Sequence, residues 1–145
     1  MPLAAVAADA ADAASESAAD REPLAAAALP VLYGITNCDT VKRARAWLED
    51  RGVEHLFHDF KKGGVPPRHM DRWIERLGWE ALLNRQGTTW RKLDEASKAA
   101  VTDAASAHAV MLAHASLIRR PVVEWPNGDI TVGFTHEGFK QHTRE

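Results

Sequence analysis

The sequence predicts an α/β domain, and three observations carry that prediction. Val31, Leu32, Tyr33 and Ile35 form a short run of branched and aromatic residues, and Val53 to Phe60 alternates apolar with polar residues, both patterns of strands. Between them Val41, Ala44, Trp47 and Leu48 recur at the spacing of one helix face. Near the other end, Ile118 to Trp125 and Ile130 to Gly133 flank Pro126-Asn127-Gly128-Asp129, a strong turn signal, which predicts a hairpin.

Each element has a local cause. The first strand is too short and too apolar for a helix. The helix after it has Asn37, Asp39 and Thr40 available as N-caps, and Arg51-Gly52 supplies a basic last turn and a glycine to end it. Strand, helix, strand in that order predicts a right-handed parallel pair. Lys61 to Pro67 reads as a loop, and Pro67 opens a helix with apolar positions Met70, Trp73, Ile74 and Leu77, stopped at Gly78. Trp79 to Leu83 adds another apolar piece. Asn84 to Leu93 is polar with a glycine turn and reads as a surface loop. Leu93 to Ala115 reads as helix in one or two pieces, broken near Thr102-Asp103, and Thr135 to Glu145 as a short closing helix. This order is that of a thioredoxin-like fold with an inserted helical subdomain, over about residues 66–115.

Length and composition bound the function. With 145 residues, 46% hydrophobic and 26% charged, the chain suits one globular domain occupying residues 30–145. Its net charge of −2 gives no electrostatic case for nucleic acid, and no apolar stretch is long enough to cross a membrane. Residues 1–29 are Ala-rich and acidic, which predicts a disordered tail rather than a targeting peptide. The tail carries −4, leaving +2 on the rest, a weak bias toward anionic substrates. One cysteine excludes an internal disulfide and fits a reducing, cytoplasmic setting.

That cysteine, Cys38, falls in the turn between the first strand and the first helix. A lone cysteine is commonly just a small buried residue. At a helix N-terminus, however, unpaired amides and the helix dipole stabilise a thiolate and lower its pKa below about 8.5. Cys38 is therefore the candidate nucleophile. The histidines suggest no metal site: His55 and His58 are three apart on a strand, on opposite faces, and His108 and His114 do not stack on one helix face. Trp47, Trp73 and Trp79 read as packing residues, and for Trp90, in a polar loop, lining a cleft is the minority reading.

Several motifs together resemble one family: Tyr33-Gly34-Ile35-x-Asn37-Cys38-Asp39-Thr40, Trp79-Glu80-Ala81-Leu82-Leu83-Asn84, Gly87-Thr88-Thr89-Trp90-Arg91-Lys92-Leu93, Arg119-Arg120-Pro121 and Gly133-Phe134. They resemble the arsenate reductase (ArsC) family, and within it the ArsC-related proteins of the YffB type, relatives of the regulator Spx. The resemblance covers about residues 31–140. It implies that Cys38 is the catalytic cysteine, that Arg120 is a cation of the site, and that Pro121 is a cis proline beside it. It also implies three arginines around the oxyanion in the glutaredoxin-linked arsenate reductases. Here Asn84 stands at the first of those positions, with Arg85 one residue along, and the third falls near Gly133.

The resulting expectation is a thiol-disulfide reductase with no bound cofactor, using glutathione as co-substrate and possible glutaredoxin assistance. Asn37 and Thr40 would supply hydrogen bonds, while Lys42 or Arg91 would meet a glutathione carboxylate. The alternatives are a non-catalytic, Spx-like partner of RNA polymerase and a true arsenate reductase. Val41, three residues after Cys38, excludes a Cys-x-x-Cys switch.

Overall fold

The computed structural model describes residues 29–143. The expected tail, Leu29 apart, lies outside the described residues. Strand β1 (Val31–Gly34) is buried along its whole length, as its apolar run requires. It pairs in parallel with β2 (Leu56–Asp59), so that Val31 lies opposite Leu56 and Gly34 opposite Asp59. On its other side β3 (Val122–Glu124) runs antiparallel, Tyr33 opposite Val122, and β4 (Ile130–Val132) closes the hairpin predicted at Pro126 to Asp129. The order β2-β1-β3-β4, with the parallel pair joined through helix α1 (Asp39–Asp50), is the thioredoxin-like sheet.

Alternation along β1 divides the core. Val31 and Tyr33 point to the helical insertion and pack with Met70, Trp73, Leu82 and Met111, all fully buried. Leu32 points to the other face, against α1 residues Ala44 and Leu48 and against Phe139 of the C-terminal helix. Fully burying a side chain of this size stabilises the fold by about 1.5–3 kcal/mol. Both faces of the sheet are thus covered, and the sheet's ends are left for chemistry.

Most expected elements are present, with four local differences. The second strand is shorter than expected, because Asp59 ends it: its carboxylate accepts the Lys61 N–H at 2.9 Å and starts a helical turn, α2 (Phe60–Gly63), inside the expected loop. Helix α3 (Pro67–Leu77) then begins and ends where Pro67 and Gly78 predicted, Gly78 having φ +87°. After α4 (Trp79–Leu82), the expected surface loop contains another turn of helix, α5 (Thr88–Arg91), whose Trp90 packs on the insertion core. The third difference is therefore that this loop is partly helical and partly buried. Helices α6 (Glu95–Ala99) and α7 (Ala104–Ala113) are the two expected pieces, α7 opening on an Asp103–Ser106 capping box. A 3-10 turn (Ala115–Leu117) leads to β3, and α8 (His136–Thr143) closes the described chain.

The fourth difference concerns the start of α1. None of Asn37, Asp39 and Thr40 caps it; the N-cap residue is Cys38 itself. No side-chain oxygen accepts from the first turn, and the amides of Thr40 and Val41 act instead on the Cys38 sulfur.

Candidate active site at the end of the sheet

Strand directions decide what surrounds Cys38. The C-terminal ends of β1 and β2 are level, and the antiparallel register brings the start of β3 and the end of β4 to the same edge. The turn carrying Cys38 thus meets Arg120-Pro121, and Gly133 N–H donates to the Pro121 carbonyl at 2.8 Å. The Arg120-Pro121 bond is cis and Pro121 is buried. Gly34 makes the close approach possible: a Cβ there would lie 2.8 Å from Val41 Cγ2 and 3.7 Å from Arg120 Cβ.

Cys38 is partly exposed, as a reacting thiol must be. Burial alone would raise its pKa. The Val41 amide, the Arg120 guanidinium through hydrogen bonding and charge, and the Thr40 amide outweigh that cost and hold the thiol below its ordinary value. Arg120 is itself positioned: Nη1 donates to the Ser116 carbonyl at 3.1 Å, at the 3-10 turn before β3. Its Nε is buried with no hydrogen-bond partner among the described residues. A donor left in that state is costly, and the neighbouring Cys38 thiolate is the anion that Arg120 favours.

The other expected site residues are distributed around this pair. Asn37 is exposed on the Cys38 turn, and Thr40 is half-buried, contributing its amide. Lys42 is exposed, its N–H bonded to the Cys38 carbonyl at 2.9 Å within the helix. Arg91 is exposed on α5, which packs against the 3-10 turn that holds Arg120. Arg85 is engaged elsewhere, its guanidinium 5.2 Å from the centre of the Trp79 ring. Of the charged side chains among the described residues, Arg120 is the one that acts on Cys38.

The chain matches the ArsC family over residues 33–142. The chain belongs to the ArsC family. It is 37% identical over 109 residues to an uncharacterised protein of Haemophilus influenzae, covering 75% of this chain and 94% of that one. Among solved structures it is similar to a YffB protein, with 48% identity, a TM-score of 0.74 and coverage of 78% and 97%. An arsenate reductase (ArsC) related protein from Brucella melitensis is 45% identical, with a TM-score of 0.62 and coverage of 81% and 96%. Among the described residues no helix is long and apolar enough to cross a membrane.

The ArsC frame makes the departures of this chain concrete. Asn84 is tied beside the Arg120 segment, since its N–H donates to the Leu117 carbonyl and Arg119 N–H donates to the Leu82 carbonyl, both at 2.8 Å. Its side chain is spent locally, Oδ1 accepting from Gln86 N–H at 3.0 Å. Gly133 carries no side chain at all.

A second polar cluster was not anticipated from sequence. At the far end of β3, Glu124 accepts from Tyr33 Oη at 2.9 Å, from Trp73 Nε1 at 2.8 Å and from His69 Nδ1 at 2.8 Å, and Arg72 lies 3.8 Å away. Burial would raise the Glu124 carboxyl, but the His69 hydrogen bond and charge, then Trp73 and Tyr33, hold it below the usual carboxylate range. The available signal was Glu124 inside the apolar run Val122 to Trp125, together with His69 at the start of an amphipathic helix.

Proposed function

We propose that this ArsC-family protein is a glutathione-dependent thiol-disulfide reductase in which Cys38 is the sole nucleophile. The observation that carries the reading is the arrangement of the site: a partly exposed Cys38 at the N-terminus of α1, beside the cis Arg120-Pro121 segment, with the Val41 amide, Arg120 and the Thr40 amide favouring its thiolate. The Cys38 thiolate attacks a disulfide R–S–S–R′, forming Cys38–S–S–R while the S–S bond breaks and R′–S⁻ leaves to take up a proton. Two glutathione thiolates complete the cycle. The first releases R–S⁻ and leaves Cys38–S–S–glutathione; the second releases oxidised glutathione and regenerates the Cys38 thiolate. An external thiol is required because the chain has no second cysteine.

Arg120 stabilises the entering thiolate and the leaving sulfur, while Asn37, Thr40 and the Pro121 segment shape the surface on which the substrate lies. The test is turnover of a low-molecular-weight disulfide with glutathione, coupled to glutathione reductase, for the parent and Cys38→Ser. Retained turnover in the variant overturns the mechanism, and glutaredoxin added to the assay shows whether it assists.

Arsenate reduction receives less support from these residues. Relatives carry that name, but an arsenate dianion here would meet Arg120 with Asn84 and Gly133 at the other two cationic positions. Assaying arsenate under the same coupled conditions separates the two activities. The non-catalytic reading, as a partner of RNA polymerase, rests on family likeness alone; it gains if Cys38→Ser leaves capture of the polymerase intact.

A further inference from the structure

The turn after β2 leaves the same end of the sheet as the turn that carries Cys38, because Gly34 and Asp59 are register partners and their strands end level. Neighbouring strands are about 4.8 Å apart, so chain emerging from one end borders chain emerging from the other. The turn is built firmly. Phe60 is buried at its start, Asp59 accepts the Lys61 amide at 2.9 Å, and the ring nitrogen Nε2 of His58 donates to the Gly64 carbonyl at 2.7 Å. Gly63 is pressed against the same histidine, where a Cβ would lie 2.8 Å from His58 Cε1. What this rigid turn presents is Lys61 and Lys62, both exposed and neither in an ion pair among the described residues.

We infer that Lys61 and Lys62 form the subsite for the glycyl carboxylate of glutathione. The inference rests on the glutathione reading above and adds where the tripeptide lies. Glutathione has two ends of different charge. Its γ-glutamyl end carries an ammonium and a carboxylate that cancel, whereas its glycyl end carries a lone carboxylate. Two lysines therefore select the glycyl end. A tripeptide spans about 10 Å when extended, so with its sulfur at Cys38 the glycyl carboxylate falls one residue away, within reach of the adjoining turn. Asp59 opposes this with one negative charge, but its carboxylate is already engaged by the Lys61 amide. Asp39 is exposed on the Cys38 turn, and Lys42 on α1 and Arg91 on α5, both exposed, are the competing cations.

The test compares the rate at which three disulfides modify Cys38 in stoichiometric reactions of the full chain. These are oxidised glutathione, its diester blocked at both glycyl carboxylates, and uncharged hydroxyethyl disulfide. The parent is expected to prefer oxidised glutathione over the diester by about fivefold to tenfold, a preference that weakens with salt. Lys61→Ala/Lys62→Ala should erase the preference and leave the hydroxyethyl disulfide rate unchanged. A parent with no preference, a double variant that keeps it, or its loss in Lys42→Ala or Arg91→Ala instead each overturns the assignment. So does an equal loss of rate with all three reagents, which would place the effect on Cys38 or the fold. These rates are read without turnover. A protein that shows the carboxylate preference but no glutathione-driven cycle thus retains the subsite and loses the proposed function.

Discussion

Strand β3 has a stabilised anion near each of its ends, and the two are built differently. At its start Arg120 faces Cys38, and at its end Glu124 collects Tyr33, His69 and Trp73. Both acids are held below their ordinary pKa against the cost of burial. The difference lies in what remains unsatisfied. Glu124 receives hydrogen bonds on both oxygens, whereas Arg120 keeps a buried Nε without a partner and Cys38 stays partly exposed. A lowered pKa alone therefore does not mark a reactive site; a lowered pKa with an open donor and an approach path does.

The largest effect that separates the two clusters is on turnover. Cys38→Ser should lower kcat/KM by more than about a thousandfold, because a hydroxyl at neutral pH is not a nucleophile toward disulfides. Its thermal midpoint should stay within about 4 °C of the parent, since the sulfur is not a core residue. Next comes Arg120→Ala, expected to lower kcat/KM by about 10- to 100-fold and to move the pH midpoint of Cys38 alkylation upward. Arg120→Lys should restore only part, because one ammonium replaces the separate Nη1 contact to Ser116 and the buried Nε. An unchanged alkylation profile in Arg120→Ala would break the comparison at the Cys38 end.

Glu124→Ala tests the other end. It leaves the indole N–H of Trp73, the Tyr33 hydroxyl and His69 without their shared acceptor between sheet and α3, and should cost about 2–4 kcal/mol in urea unfolding. The alkylation rate of Cys38 in the folded variant should not move. If it falls, the two clusters are coupled through β3 and the distinction drawn above fails.

These two clusters also show how far the sequence could be read. Cys38 was recognisable because its chemistry follows from a local pattern, an apolar run switching to helical spacing around one residue. Arg120 and Pro121 were recognised by family resemblance, since nothing local distinguishes a reactive arginine from one at a solvated strand end. The sheet followed from the βαβ unit and the hairpin. The Glu124 cluster was missed because it assembles residues 33, 69, 73 and 124, a meeting that only the packing of α3 on the sheet creates. The helical turn at Phe60–Gly63 was read as a strand end followed by loop for a similar reason: its cause is one Asp59 side chain and the burial of Phe60, both decided by neighbours.

The smallest expected effect is on the pH dependence of stability, and its sign differs in window between the two ends. A depressed folded pKa means that the unfolded chain binds more protons, so stability rises with pH between the folded and unfolded values. For Glu124 the unfolded value is about 4.3, so its contribution is complete at neutral pH and is lost as pH falls through the still lower folded value. For Cys38 the unfolded value is about 8.5, so its contribution is absent below the folded pKa and grows toward the alkaline side. The stability of the parent minus that of Cys38→Ser should therefore increase from neutral pH to about pH 9 and then level off. Because the thiol is partly exposed and screened, the whole increase should stay under about 1 kcal/mol. Urea midpoints measured across that range read it directly. A flat difference would mean that the amides of α1 and Arg120 do not favour the thiolate in the folded chain, and with it would go the electrostatic basis for placing the reactive end at Cys38.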